Sequence, residues 1–378
     1  MRAMIVTGTR ADFGLWKPVL AEIQRRPADV LSAQLLVTGM HLDPRFGSTI
    51  AEVRASGTEI VAEIPCIPDG DSRTDMVVSL AGVIRDMAPI LRNATPDWLL
   101  LLGDRGEQLA AGLVALHQGV AVAHVHGGER SLGAVDDTIR DMISRIAHVH
   151  CAAEPSAADR LERLGEASWR IHVTGAPGLD DLIAGDTPHR AAVRRALGVG
   201  DGPYAVVLYH PETVGVTDPV ATLVAVLHAV RESGLNAVAV LPNADAGGRS
   251  IRDALTSRAH ELTAVFASSP REEYMALLSG AEVLVGNSSS GLIEAPHLRL
   301  PVVNVGDRQR GRLQGDNVVN VNGDKVAIRR AISAATSPSF RSGLSGISPY
   351  GTGHAAIRIV DALLAHPIDS RLLIKEVA

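Results

Sequence analysis

One short run of this sequence, Asn287 to Gly291, carries residue types that bind phosphate. It follows an apolar stretch, residues 282–286, that predicts a buried strand, and the segment after it predicts a helix. Its three serines would then lie at a helix N-terminus, where N–H groups favour an anion. One turn later, the carboxylate of Glu294 can accept two hydrogen bonds from the vicinal hydroxyls of a ribose. Together these residues indicate a nucleoside diphosphate, with a plain helix cap as the alternative.

Charged residues also follow other apolar runs. Asp104 comes directly after one such run and is placed to act as an acid or base, or else to cap the helix predicted near Glu107. Arg10, Arg308 and Arg312 follow two further runs, where a guanidinium can bind a phosphate or simply be solvated. Each position therefore has a functional and a structural interpretation.

The segment from His124 to Glu129, His-Val-His-Gly-Gly-Glu, has two interpretations. On a strand, His124 and His126 would face the same side, and residues 148–150 repeat the spacing, which is the pattern of a metallohydrolase. No further residue at a metal-ligand spacing accompanies either pair, so we expect no metal. The two glycines would instead let the backbone approach a sugar on which Glu129 acts.

Asp136 and Asp137 lie just beyond, at the start of a helix predicted over residues 138–149. Two adjacent carboxylates near Glu129 would raise each other's pKa, which is how a neutral acid or a poised base is made. The alternative is a pair of ordinary first-turn acids favoured by the helix dipole.

Parallel sheets must position these residues. Short apolar runs recur, each followed by a helix-like stretch, which is the βαβ pattern. The predicted strands are residues 4–6, 34–37, 98–102, 120–125, 170–173, 205–209, 237–241, 264–266, 283–285 and 302–305. Breaker-rich segments at 175–178 and 185–188 predict a hinge, and a second α/β domain begins near Gly202. Because open α/β sheets bind ligands beyond the carboxyl ends of their strands, and both halves carry polar residues there, we expect the site in the cleft between two domains.

Size and composition narrow the function classes. A chain of 378 residues with 46% hydrophobic and 21% charged residues predicts two globular domains. A net charge of -6 without a basic cluster argues against nucleic acid and anionic membranes as partners. Two cysteines are too few for a disulfide framework, the N-terminal apolar run is too short for a signal peptide, and no run approaches the roughly 20 apolar residues that span a bilayer. We expect a cytoplasmic protein.

In their order along the chain, these motifs resemble the hydrolysing UDP-N-acetylglucosamine 2-epimerases, a family that includes bacterial sialic-acid pathway enzymes. The match runs from Thr7 to about His354. The matching motifs are Arg10-Ala11-Asp12, Gly39-Met40-His41-Leu42, Gly103-Asp104-Arg105, His126-Gly127-Gly128-Glu129, Asp136-Asp137 with Arg140, His210-Pro211 with Thr213, Pro242-Asn243 with Asp245, Asn287-Ser288-Ser289 with Glu294, and Gly306 with Arg308-Gln309 and Gly311-Arg312.

The resemblance implies two Rossmann-like domains of the GT-B type, over residues 1–178 and 179–350, with an inter-domain active-site cleft. A C-terminal helix in residues 351–378 would pack back on the first domain. The family's chemistry needs no NAD and no catalytic metal. A base removes the C2 proton of the sugar while an acid assists the departure of UDP, and water then adds to the resulting 2-acetamidoglycal. We expect a homo-oligomer, either a dimer or a tetramer.

Site residues follow from matching positions. The acid/base and catalytic set is Asp104, Glu129, Asp136, Asp137 and His210, of which His210 would lie near the diphosphate. The substrate-binding set is Arg10, His41, Arg105, Arg140, Asn243, Ser288, Ser289, Ser290, Gly291, Glu294, Arg308 and Arg312.

The sequence departs from the family pattern in one place. The family usually continues Arg-His after the paired acids, whereas Asp141 follows Arg140 here, and Ser144-Arg145 stands where Thr-Lys is typical. We predict release of UDP and N-acetylmannosamine from UDP-N-acetylglucosamine. The altered half makes a UDP-2,4-diacetamido-2,4,6-trideoxyhexose, as in related legionaminic-pathway enzymes, a second candidate substrate. A non-hydrolysing 2-epimerase, a GT-B glycosyltransferase, and a silent nucleotide-sugar binding protein in which Asp141 spoils the site are also compatible with the motifs.

Overall fold

The computed structural model describes residues 1–47, 49–185, 194, 198–214, 218–267 and 269–375. The chain divides into two compact units. Unit 1 comprises Met1–Arg130, Val135–Asp181 and Tyr350–Ala378, and unit 2 comprises Ser131–Ala134 and Leu182–Pro349. Residues 186–188 of the predicted hinge lie outside the described residues.

Each unit is a parallel sheet with helices on its faces, which is the predicted α/β class. The strands of unit 1 are β1 (Arg2–Thr7), β2 (Ser32–Thr38), β3 (Glu59–Ile64), β4 (Trp98–Leu102), β5 (Ala121–Val125), β6 (Val149–Ala152) and β7 (Ile171–Val173). The strands of unit 2 are β8 (Tyr204–Leu208), β9 (Asn236–Val240), β10 (Ala264–Phe266), β11 (Val283–Gly286), β12 (Val302–Val305) and β13 (Val318–Val321).

The described helices in chain order are α1 (Arg10–Arg25), α2 (Ile50–Ala55), α3 (Arg73–Ala94), α4 (Gly106–Gln118), α5 (Asp136–Ile146), α6 (Pro155–Arg163), α7 (Asp180–Ala184), α8 (Pro219–Glu232), α9 (Gly248–Ser257), α10 (Arg271–Gly280), α11 (Ser290–Ile293), α12 (Lys325–Ala335), α13 (Pro338–Ser342), α14 (Ala355–Ala365) and α15 (Ser370–Leu373). None of them is long and apolar enough to cross a membrane.

Strand order places a topological switch point in each sheet. The order is β3-β2-β1-β4-β5-β6-β7 in unit 1 and β10-β9-β8-β11-β12-β13 in unit 2. After β1 the chain builds outward to β3 and then returns to the other side of β1 with β4, and β8 and β11 repeat this arrangement. Ligands of open α/β sheets bind at such points, beyond the carboxyl ends of the strands. The segments found there are Gly8 to Arg10 and Gly103 to Arg105 in unit 1, and Tyr209 to His210 and Asn287 to Ser289 in unit 2.

Apolar packing on both faces fixes these strands. Every residue of β4, Trp-Leu-Leu-Leu-Leu, is buried, as a central parallel strand requires. On one face of the unit 1 sheet, Phe13 and Trp16 of α1 share a core with Ile359 and Leu363 of α14. The C-terminal segment is therefore part of unit 1.

The structure corrects several predicted elements. Strands β3, β6 and β13 were not predicted, because β6 and β13 have only four residues each and β3 is interrupted by glutamates. The helix predicted over 138–149 ends at Ile146, where Ala147 turns to an extended backbone with ψ of 145°, and β6 begins two residues later. The segment after Gly291 forms only the single turn of α11.

Candidate active site

Asp104 and Arg140 form the centre of the unit 1 site. Asp104 stands just beyond β4, and Arg140, which is 1% exposed, projects from α5. One guanidinium nitrogen of Arg140 donates to the Asp104 carboxylate, and Nη1 donates to the carbonyl of His126 at 2.7 Å. Asp104 does not cap α4, whose N-cap residue is Arg105 without a side-chain cap bond. The capping alternative is therefore wrong, and a buried arginine ties the end of β4 to the end of β5.

Glu129 is held close to this pair by His126. The Nδ1 atom of His126 lies 2.5 Å from Glu129 Oε1, and both side chains are at most 5% exposed. β5 ends at Val125, and His126 has a φ of +63°, so it does not continue the alternation of the strand. The predicted shared face of His124 and His126 is wrong for this reason. Within the described ranges, no three His, Cys, Asp or Glu side chains are grouped as a metal site requires.

His124 orients the backbone of Gly103 through a hydrogen bond. Its Nε2 lies 2.7 Å from the Gly103 carbonyl and its Nδ1 lies 3.0 Å from Ser144 Oγ. Burial lowers the pKa of His124 to about 3, so the ring is neutral. Because a carbonyl can only accept, Nε2 carries the proton and Nδ1 accepts from the Ser144 hydroxyl. This bond fixes the glycine that precedes Asp104.

The paired acids occupy the first turn of α5. Asp137 Oδ2 lies 3.7 Å from Arg160 and 3.8 Å from Arg130. Asp141, the departure from the family pattern, binds Arg160 through two contacts of 2.6 Å. Asp136 and Asp137 thus hold the predicted first-turn positions, and Asp141 has a partner of its own in α6.

A second buried carboxylate lies at the unit 1 switch point. Asp12 Oδ2 accepts from the Gly8 N–H at 3.3 Å, and Arg105 Nε lies 2.7 Å from Glu107 Oε1. Burial raises the pKa of Asp12 to about 6, against the opposing effect of Arg105 and with a further rise from Glu107. Asp12 and Glu107 were not among the predicted site residues. A Cβ at position 8 would lie 2.5 Å from Glu107 Oε1, so the glycine there is the sequence feature that indicates this close packing.

Two further predicted residues of unit 1 differ in accessibility. Arg10 is the half-buried first residue of α1. His41 is fully buried, with Nε2 2.9 Å from Thr7 Oγ1 and Nδ1 2.8 Å from Thr49 Oγ1. Burial lowers the pKa of His41 to about 4. His41 therefore lies behind Thr7 at the switch point as a neutral ring.

In unit 2, Asn287 joins the ends of β8 and β11. Its Oδ1 accepts from the His210 N–H at 2.7 Å and its Nδ2 donates to the His210 carbonyl at 2.9 Å. Gly286 makes the close approach possible, because its φ is +147° and a Cβ there would lie 1.9 Å from the Leu208 carbonyl oxygen. The local sequence Gly-Asn is thus required by the switch point.

The carbonyl of Asn287 is held by the loop after β12. Arg308 Nη1 donates to it at 3.2 Å and Gln309 Nε2 donates to it at 2.8 Å. Gln309 is 1% exposed, and its Oε1 accepts from Arg312 Nη1 at 3.2 Å. The predicted ligands Arg308 and Arg312 therefore belong to one network with Asn287. Gln309, which stands in the same family motif, completes this network but was not among the predicted site residues.

The serines serve the start of α11 only in part, because Ser288 Oγ accepts from the Ser290 N–H at 3.4 Å. Ser289 precedes α11 without a side-chain cap bond. Ser290 Oγ lies 2.7 Å from Tyr274 Oη and 2.9 Å from Ser288 Oγ. Because α11 is a single turn, its dipole is small, and an anion there would depend on N–H and hydroxyl groups instead. Gly291 is a buried residue of that turn.

Glu294 is 5% exposed, and its Oε1 accepts from Arg271 Nη1 at 3.2 Å. Asn243 lies beyond β9, half-buried, and its carbonyl accepts from Arg252 Nη1 at 3.3 Å.

A cavity of about 590 Å³ opens beyond β12 and β13. Its lining includes Arg312 and excludes the serines and Glu294, so it is adjacent to the predicted phosphate site and is not that site.

Two Rossmann-like units with polar residues at both switch points are the arrangement in which many α/β enzymes bind nucleotides. The family model described as UDP-N-acetylglucosamine 2-epimerase matches residues 21–364. The chain belongs to this family, and by this membership it is a UDP-sugar 2-epimerase.

Individual proteins agree with the membership. The chain is 34% identical to the hydrolysing UDP-N,N'-diacetylbacillosamine 2-epimerase of Legionella pneumophila, over 99% of this chain and 98% of that protein. It is 33% identical to the UDP-N-acetylglucosamine 2-epimerase of Neisseria meningitidis serogroup B, over 89% of this chain and 88% of that protein. The crystal structure of a Neisseria meningitidis UDP-GlcNAc 2-epimerase bound to UDP-GlcNAc superimposes with a TM-score of 0.81 at 19% identity, covering 97% of this chain and 100% of that one. This last likeness shows the fold, which is of the predicted GT-B type.

Proposed function

We propose that this chain is a hydrolysing 2-epimerase of a UDP-2-acetamido sugar. In the first step a base removes the proton at C2 and the C1–O bond to UDP breaks, which gives a 2-acetamidoglycal and UDP. In the second step water adds its oxygen to C1, and C2 receives a proton on the opposite face. The products are UDP and the free 2-epimer, and one water is consumed.

The observation that carries this proposal is the linkage of Asp104 to Glu129. Arg140 donates to Asp104 and to the His126 carbonyl, and His126 Nδ1 contacts Glu129. Two carboxylates held by one buried network are the groups that a paired proton removal and return requires. Asp136 and Asp137 stand at the beginning of the helix that supplies Arg140, and one of them is the third member of the acid/base set.

Unit 2 binds the nucleotide in this proposal. Ser288 and Ser289 receive the diphosphate together with Arg308, and His210 lies beside it. Glu294 accepts the ribose hydroxyls with its second carboxylate oxygen, while Oε1 remains with Arg271. Arg10 and Arg105 of unit 1 are proposed as substrate-binding cations.

For the sugar we propose UDP-N,N'-diacetylbacillosamine, a 2,4-diacetamido-2,4,6-trideoxy sugar. The support is the name of the Legionella pneumophila relative, which aligns over 99% of this chain. UDP-N-acetylglucosamine is the second candidate, and the name of the Neisseria meningitidis relative favours it.

The test is turnover of each nucleotide sugar in deuterated water, followed by proton NMR. We expect UDP, and a free sugar that carries deuterium at C2 with inverted configuration, and faster release from the diacetamido substrate. An unlabelled sugar with unchanged configuration would refute the elimination path. A UDP-bound epimer would indicate a non-hydrolysing enzyme, and faster release from UDP-N-acetylglucosamine would assign that sugar instead.

A further inference from the structure

The sequence departs from the family pattern at Asp141, and the structure gives this residue a specific partner. Both Asp141 oxygens contact Arg160, from Oδ1 to Nη1 and from Oδ2 to Nη2, each at 2.6 Å. This is the bidentate geometry in which a planar guanidinium and a carboxylate fix each other's orientation. Arg160 is 6% exposed, whereas the Asp141 side chain is 31% exposed, so the guanidinium is buried and its partner carboxylate is partly open to water.

The Arg160 nitrogen that contacts Asp141 Oδ1 also contacts the backbone on either side of the Gly128–Glu129 peptide bond. This atom, Nη1, donates to the Glu129 carbonyl at 3.2 Å and approaches the Gly128 carbonyl at 3.4 Å. Arg160 Nη2 lies 3.7 Å from Asp137 Oδ2. One guanidinium thus contacts two members of the proposed acid/base set.

The peptide on which Arg160 acts is tightly confined. Gly128 has a φ of +82°, and a Cβ there would lie 2.3 Å from the Ala157 carbonyl oxygen of α6. Helix α6 therefore packs directly against this loop, and its Ala157 and Leu161 form a small buried cluster with Ala152. The loop at Gly128 and Glu129 therefore packs against the backbone of α6 and accepts hydrogen bonds from the Arg160 side chain.

We infer that Asp141 and Arg160 are positioning residues for Glu129 and Asp137. Asp141 fixes the plane of the guanidinium. The guanidinium in turn fixes the Glu129 carbonyl and the Oδ2 atom of Asp137. Asp141 therefore supports the chemistry from behind the site and does not spoil it. This inference rests on the proposed function for the roles of Glu129 and Asp137.

The test is kinetic analysis of Asp141→Asn, Arg160→Gln and the double variant with the preferred nucleotide sugar. Asp141→Asn keeps the shape of the side chain but turns an amide towards the Arg160 donors. We expect kcat to fall at least tenfold in each single variant, with KM and the Kd for UDP within about twofold of wild type. The double variant should lose no more than Arg160→Gln alone, because both residues act through one contact.

A matched control is Asp86→Asn. Asp86 forms a two-contact pair with Arg85 on the exposed surface of α3, at 2.6 and 2.9 Å. We expect its kcat and KM to equal those of wild type. If kcat, KM and melting temperature of Asp141→Asn move together, or if its kcat is unchanged, the inference is wrong.

A second measurement keeps the inference separate from the proposed function. If wild type releases no UDP from either sugar, the proposed function fails. Amide hydrogen exchange then decides on positioning, since Asp141→Asn should raise exchange in residues 126–131 by tenfold or more and leave Asp86→Asn unaffected. Unchanged exchange there would overturn the inference whatever the activity.

Discussion

Asn287 satisfies both backbone polar groups of His210 with a single side chain, although the two residues are 77 positions apart in sequence. The amide accepts the N–H at 2.7 Å and donates to the carbonyl at 2.9 Å. Asparagine is the residue that provides one donor and one acceptor at this length. The two strand ends of the unit 2 switch point are therefore joined by side-chain chemistry as well as by the sheet.

We predict that Asn287→Asp lowers both stability and UDP affinity. An aspartate cannot donate to the His210 carbonyl, so a buried acceptor loses its partner at a cost of about 1–3 kcal/mol. Urea denaturation measures the first effect and isothermal titration with UDP the second. Lower stability with unchanged UDP affinity would show that Asn287 serves only the fold.

We predict that Ser289→Ala and Glu294→Ala weaken UDP binding. Each change removes hydrogen bonds to the nucleotide, for about 1–3 kcal/mol, with the larger loss for the charged Glu294. Because Glu294 also binds Arg271, Glu294→Gln serves as a milder companion variant that keeps one acceptor. Titration calorimetry with UDP checks all three. Wild-type affinity in Ser289→Ala and Glu294→Ala would return the motif to a structural role.

We predict that Asp104→Asn and Glu129→Gln remove turnover and leave the Kd for UDP nearly intact. These groups move protons in the proposed reaction, and a placed acid or base contributes about 10²–10⁴ in rate. UDP release under saturating substrate is the measurement. Near-wild-type turnover in either variant would exclude that residue from the acid/base set.

Asp12 should make stability depend on pH. Its pKa is raised in the folded state from 3.8 to about 6, chiefly by burial, so the folded protein binds the proton more tightly than the unfolded chain. The resulting stability is complete below pH 3.8 and is lost as pH rises through 6. Asp12→Asn removes this dependence. We therefore expect wild type, relative to Asp12→Asn, to be about 2 kcal/mol more stable at pH 4 than at pH 7 by urea denaturation. An equal difference in stability between wild type and Asp12→Asn at pH 4 and at pH 7 would contradict the raised pKa of Asp12.

The sequence predicted the elements that carry dense local signals. β4 and β12 have the predicted bounds because each is wholly or largely apolar and is followed by a glycine. β6 was missed because Val-His-Cys-Ala is short and only two residues separate it from the end of α5. Local patterns of this kind predict which residues form strands, but they do not predict which side chains those residues will contact.

The contacts within the candidate site could not be predicted in the same way. Arg160 meets Asp141 from another helix, 19 positions away, and the amide of Gln309 meets Asn287 from another loop. Such pairs depend on how helices pack on the sheet, which the pattern of apolar residues does not specify. The positions of Asp104 and Ser289 at strand ends were foreseeable, whereas the groups that hold them were not.

The discontinuity of unit 1 has a consequence for biosynthesis. Ile359 and Leu363 complete the core around Trp16, and Arg170 donates to the carbonyls of Leu372 and Ile374. A ribosome delivers these residues only after it has made all of unit 2, whereas domains otherwise tend to fold in order from the N-terminus. All seven strands of the first sheet are made by Val173, but the core on one of its faces stays incomplete while unit 2 is synthesised. The half that bears Asp104 and Glu129 is therefore completed last.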